Sequence, residues 1–87
     1  MSQIEKLIKK MQAKPTPKRV DFDEFKKYLE HFGFFLDRTK GSHNMFVHKK
    51  KNIHMPPIPT ISGKEVKAAY VDQANEIILE MEEDKDE

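Results

Sequence analysis

The apolar residues of this chain change their spacing twice, and that double switch leaves room only for a mixed fold. Phe22, Phe25, Tyr28, Leu29 and Phe32 recur at helical spacing. Between Phe34 and Met55, short runs rich in aromatic and β-branched residues are separated by turn residues. From Val66 onward Ala69, Tyr70, Ala74, Ile77, Ile78 and Met81 return to helical spacing. The pattern predicts strands held between two helices.

Local signals place the boundaries. Asp21 and Glu24 have the spacing of a capping box at the start of the first of these helices, and Gly33 closes it. Phe34 to Arg38 and Ser42 to His48 flank Thr39-Lys40-Gly41, which reads as a hairpin. Lys49 to Asn52 form a second turn before a short strand Ile53 to Met55, and Pro56, Pro57 and Pro59 are expected to end the sheet. Gly63 marks a loop, and the closing helix follows with four or five turns. Ahead of all this, Ile4, Leu7, Ile8 and Met11 line one face of a short basic helix, read as docked on the core. Pro15 and Pro17 make residues 12–20 a linker. The expected class is α+β, with a three-stranded antiparallel sheet, helices on one face and an extra N-terminal helix. Residues 1–20 are the helix and linker, 21–82 the core and 83–87 an acidic tail.

A chain of 87 residues has room for one small domain. It holds no cysteine, which removes disulfides, thiolate chemistry and Cys-type zinc sites. The N-terminus lacks the apolar stretch of a secretory signal and no run is long enough to span a membrane, so a soluble, cytoplasmic protein is expected. Charge is divided: residues 1–67 carry 15 of the 16 Lys and Arg but 7 of the 15 Asp and Glu, a balance of +8, and residues 68–87 carry −7. A basic body attracts polyanions; the alternative is ordinary solvated surface.

Strand parity nominates one residue. With Phe46 in the core, Asn44 and His48 share its side, and His43, Met45 and Val47 face out. Two registers are open for the hairpin. A three-residue turn with Gly41 left-handed in a bulge puts Phe34 and Leu36 inside and Asp37 opposite His43; a two-residue turn puts Arg38 there. The first keeps more apolar bulk inside and is preferred. A metal site built from His43, His48 and His54 is disfavoured: His54 pairs with Val47, about 13 Å along the strand from His43, and His48 points to the other face. His31 lies beside an apolar stripe as a structural or solvated residue. An exposed imidazole can move protons at neutral pH, and flanking lysines can hold a phosphate. That combination suits RNA cleavage by attack of a ribose 2′-hydroxyl on its own phosphate. His43 is the general base or acid, Lys40 and Lys49-Lys50-Lys51 position the backbone, and the amide at Gly41 or Ser42 donates to a phosphate oxygen. Asp37 and His54 are candidate supporting groups, and neither metal nor cofactor is called for. An ordinary surface histidine is the bland alternative.

The segment Gly41-Ser42-His43-Asn44-Met45-Phe46-Val47-His48 resembles the HicA family of toxin–antitoxin mRNA interferases, also called YcfA-like proteins. The likeness extends through Asp23 to Gly33 and through Gly63-Lys64-Glu65-Val66-Lys67 into the closing helix, covering residues 21–82. The resemblance implies a fold like a double-stranded-RNA-binding domain, in the order α-β-β-β-α. It implies an endoribonuclease toxin of a type II system that cuts mRNA, with His43 catalytic, Gly41 and Ser42 setting its turn, and a HicB-like antitoxin covering the site. The chain departs from the compact family form in its N-terminal helix. It also departs at Pro56-Pro57-Ile58-Pro59, where many relatives carry a histidine. Two rival readings keep the fold but not the chemistry: a non-catalytic RNA-binding module, and a protein-interaction domain whose basic face and acidic tail serve partners only.

Overall fold

The computed structural model describes residues 3–83. The elements are α1 (Gln3–Met11), β1 (Arg19–Asp21), α2 (Phe22–His31), β2 (Phe35–Lys40), β3 (His43–His48), β4 (Ile53–His54), β5 (Ile58–Pro59), β6 (Glu65–Lys67) and α3 (Ala68–Glu83). The mixed α+β class is as expected, and the order of helix, antiparallel strands and helix agrees with the double-stranded-RNA-binding arrangement. The predicted acidic tail falls almost wholly outside the described residues.

Helix α2 begins where its cap predicts: the Asp21 carboxylate accepts from the Glu24 amide at 3.1 Å. Glu24 does not reach back to complete the box. Its side chain accepts from Lys10 Nζ at 2.7 Å instead. Phe22 and Phe25 on this helix meet Phe46 of β3 with ring centroids 6.3 and 6.5 Å apart. Phe25, Tyr28, Leu29, Phe34 and Phe46 are fully buried, joined from α3 by Val71, Ala74, Ile78 and Met81. The sheet thus has one face under helices and one left bare.

Helix α1 docks as its apolar stripe predicts. Met11 is fully buried, and Leu7 and Ile8 pack against the core. A polar chain locks the junction: Gln12 donates to the Tyr28 hydroxyl at 3.0 Å, that hydroxyl donates to Asn75 Oδ1 at 2.6 Å, and Asn75 Nδ2 donates to the Met11 carbonyl at 2.9 Å. The Lys10–Glu24 ion pair beside it is half exposed and therefore adds little.

Three expectations need correction. The prolines do not end the sheet. Past Pro56 and Pro57 the chain returns as β5, which pairs with β3 next to β4, so β3 is central in a four-stranded sheet. Pro59 is tolerated because β5 is an edge and its neighbour supplies the donor, Thr60 N–H to the Ser42 carbonyl at 3.0 Å. Second, the linker contains a strand, and residues 65–67 are strand rather than helix. Val20 of β1 and Val66 of β6 face each other, both buried. Each of these strands has a single apolar residue between charged ones, too little to show a period.

The third correction concerns the hairpin. Its turn is the two residues Gly41-Ser42, and Lys40, not Asp37 or Arg38, stands opposite His43. Gly41 has φ 62 at the first central position, where the tight hairpin turn of type II′ takes glycine. The bulge expected at Gly41 sits at Asp37, between the pairs Leu36↔Phe46 and Arg38↔Met45. The expected interior survives: Phe34 is buried, Leu36 packs against the core and Phe35 is 54% exposed.

Gly33 marks the tightest point. Its φ is +94, and a Cβ there would lie 2.5 Å from Nε2 of His48, a ring itself packed edge-on against Phe34 at 5.3 Å. Gly33→Ala is therefore expected to cost at least about 1–3 kcal/mol, through strained backbone and a displaced His48, read as a lower urea midpoint. Burial raises the Tyr28 phenol above its ordinary value of 10.0, with the Gln12 hydrogen bond acting the other way. The folded state then keeps this proton to higher pH than the unfolded chain. Its contribution is complete below about pH 10 and is lost as pH rises through the folded value. Tyr28→Phe is expected to cost about 1–3 kcal/mol at neutral pH by stranding Gln12 and Asn75, and to remove that alkaline loss in urea titrations.

Candidate nucleic-acid interface

The bare face of the sheet is ordered by β3. Along that strand burial alternates, with His43 exposed, Asn44 buried, Met45 partly buried, Phe46 buried, Val47 partly buried and His48 buried. Directly paired residues on neighbouring strands share a face. His43 therefore stands between Lys40 of β2 and Pro59 of β5, Met45 beside Arg38, and Val47 between Phe35 and His54. The bulge makes this possible. Without one extra residue at Asp37, Leu36 would share a face with Arg38 and Lys40, and either the core or the cationic border would be lost.

Beneath His43 the frame is held by one buried polar side chain. Asn44 Oδ1 accepts from Thr39 Oγ1 at 3.0 Å, and its Nδ2 donates to the Ile58 carbonyl at 2.9 Å and the Ser42 carbonyl at 3.4 Å. A single amide thus ties β2, β5 and the Gly41-Ser42 turn to β3. These bonds anchor the stretch of β3 from which its neighbour in sequence, His43, projects.

The nominated residues separate into two groups. Lys40, Gly41 and Ser42 lie at the His43 end of the hairpin, all exposed. Lys49, Lys50 and Lys51 occupy the turn at the opposite end of β3, where the Lys51 amide donates to His48 Nδ1 at 3.1 Å. Asp37 is not brought to His43; its carboxylate accepts from Arg38 Nε at 3.3 Å in the bulge. His54 pairs with Val47, as the second hairpin predicts, and so lies four positions along from His43. Among the described residues no three His, Asp or Glu side chains group as metal ligands.

Two contributors were missed. Arg38 joins Lys40 on the outer face because of a bulge that only the folded pairing reveals. Asn44 carried a legible signal, a polar residue at an inward position of the alternation, but its partners come from segments 5 and 14 residues away.

The geometry is that of a small α+β domain with a helix-backed sheet, a cation-bordered open face and a histidine just after a glycine turn. Residues 22–76 match the family model described as HicA toxin of bacterial toxin-antitoxin. The chain belongs to the HicA toxin family, and membership implies an antitoxin partner. The match runs from the start of α2 into α3 and contains the whole bare face. Comparisons with curated proteins and with solved structures return no match. No helix among the described residues is long and apolar enough to cross a membrane.

Asn44→Ala removes three hydrogen bonds and leaves the Ile58 carbonyl and the Thr39 hydroxyl without that partner. The expected cost is about 1–3 kcal/mol in chemical denaturation, with faster amide exchange at Thr60 reporting release of β5 from β3.

Proposed function

We propose that this chain is the toxin half of a type II toxin–antitoxin pair and acts as a metal-independent endoribonuclease on mRNA, with His43 as general acid or base. The observation that carries the reading is the placement of His43: exposed on the central strand, immediately after a glycine turn and directly beside Lys40, inside the span shared with the HicA family.

The chemistry needs only what this face supplies. The ribose 2′-hydroxyl attacks its own phosphate, the O2′–P bond forms and the P–O5′ bond breaks, giving a cyclic phosphate and a 5′-hydroxyl end. His43 in its neutral form takes the 2′ proton, or in its protonated form gives one to the departing oxygen. Lys40 and Arg38 offset charge that builds on the phosphate. The Gly41 and Ser42 amides, at an exposed turn, suit a phosphate oxygen, and Lys49, Lys50 and Lys51 suit backbone further along the strand. A flat open face accepts a polymer more readily than a small metabolite, and it is the surface a HicB-like antitoxin would cover. Since mRNA is the substrate, the cytoplasm is the site of action. Asp37 has no role in this scheme, because Arg38 occupies its carboxylate.

His43→Ala is expected to lower cleavage of single-stranded RNA by about 10²- to 10⁴-fold, the usual worth of one acid–base group, and to abolish growth inhibition. The exposed ring contributes little packing, so the stability change should stay within about 0.5 kcal/mol. Wild-type cleavage should persist in EDTA. Undiminished cleavage by the His43→Ala protein overturns the assignment. Saturable, salt-sensitive RNA binding without products favours the non-catalytic binding module instead.

A further inference from the structure

Among the described residues two large apolar side chains are conspicuously exposed, Phe35 at 54% and Leu79 at 61%. Leu79 lies on α3 amid acidic residues, and nothing on that surface says what would cover it. Phe35 is different. It stands on the bare sheet face, paired with Val47, which in turn pairs with His54. It therefore shares a surface with His43, about 13 Å away along β3.

The ring borders a depression of about 400 Å³ lined by Gly33, Phe35, His48, Lys49 and Lys50. Gly33 lies directly against the His48 ring there, where a Cβ would be 2.5 Å from Nε2. Its rim carries two lysines, and the far end of the same face carries Lys40 and Arg38. The one carboxylate in this stretch of β2, Asp37, is engaged by Arg38. A solvated aromatic ring between two cationic borders suits a strand of bases joined by phosphates. Every base has a π-face to lay on the ring, and the cations take the backbone on either side.

We infer that Phe35 and the depression beside it form a base-stacking subsite, which seats a base a few nucleotides from the phosphate held at His43. The subsite deepens the ribonuclease reading and rests on it for the position of the scissile phosphate. The stacked base is gripped by its face, so the subsite sets register and affinity along the strand rather than a strict sequence.

The chain contains no tryptophan, so Phe35→Trp introduces a single fluorescent reporter at the subsite. The probe is a short, mixed-sequence 2′-O-methyl RNA, which binds but lacks the attacking hydroxyl. Phe35→Trp should bind it at least as tightly as wild type, with its emission quenched on binding. Phe35→Leu, which keeps apolar bulk without a π-face, and Phe35→Ala should each weaken binding by about 5- to 150-fold. Both sit at a half-exposed position, and thermal melts of each confirm the fold. Wild-type affinity in Phe35→Leu, or Trp emission unmoved by RNA that binds, overturns the subsite. Loss of antitoxin binding with unchanged RNA binding also overturns it and makes Phe35 a protein-docking residue. Binding that depends on Phe35 without cleavage of unmodified RNA by wild type sustains the subsite and overturns only the ribonuclease reading. Wild-type cleavage with Phe35 variants that bind normally does the reverse.

Discussion

One extra residue in β2 reconciles the two demands made on this sheet. Leu36 must point inward to meet Phe46, and Lys40 must point outward to stand beside His43. Strict alternation forbids both, since residues an even number of positions apart share a face. The bulge at Asp37 resets the parity between them. The buried aromatic cluster fixes one end of the hairpin, the tight Gly41-Ser42 turn fixes the other, and the mismatch is absorbed in the middle. The composition of the open face follows from that local irregularity.

The strand that carries His43 is anchored from beneath. Asn44 bridges the turn, β2 and β5 with bonds that would be costly to leave unmade in a buried position. Phe46, two residues on, is clasped by two aromatic rings from α2. His43 therefore projects from a strand whose inward neighbours are fully committed. Such a frame suits the acid–base role proposed for His43, because preorganised geometry removes reorganisation from the reaction itself. The outer face, by contrast, presents an exposed imidazole, Lys40, an Arg38 held by Asp37 and a half-exposed aromatic ring.

Helix α1 and the short β1–β6 ladder show how a chain of this size gains stability outside the sheet. The capped helix α2 lies between them. Met11, Val20 and Val66 are each almost wholly buried, and Tyr28 relays hydrogen bonds between α1 and α3. Helix α1 and all of β1 lie outside the span that matches the HicA family model. The Thr16 hydroxyl bonded to Asp72 extends the same attachment from the connecting segment to α3.

The sequence by itself determined the elements with a strong period or an unambiguous cap. Helix α2 with its Asp21 cap, helix α3, the alternation of β3 and the outward placement of His43 all follow from local pattern. The cost of burying a polar residue or exposing an apolar one accrues along each such element without reference to its neighbours. Only the tertiary structure decided what depends on pairing. The site of the bulge, the return of the chain at β5 past two prolines, and the ladder between Val20 and Val66 each turn on one or two contacts between distant segments. The same is true of the pairing of Lys40 with His43. No periodicity accumulates over so few residues, and their conformations are fixed by hydrogen-bond partners that the local sequence does not name.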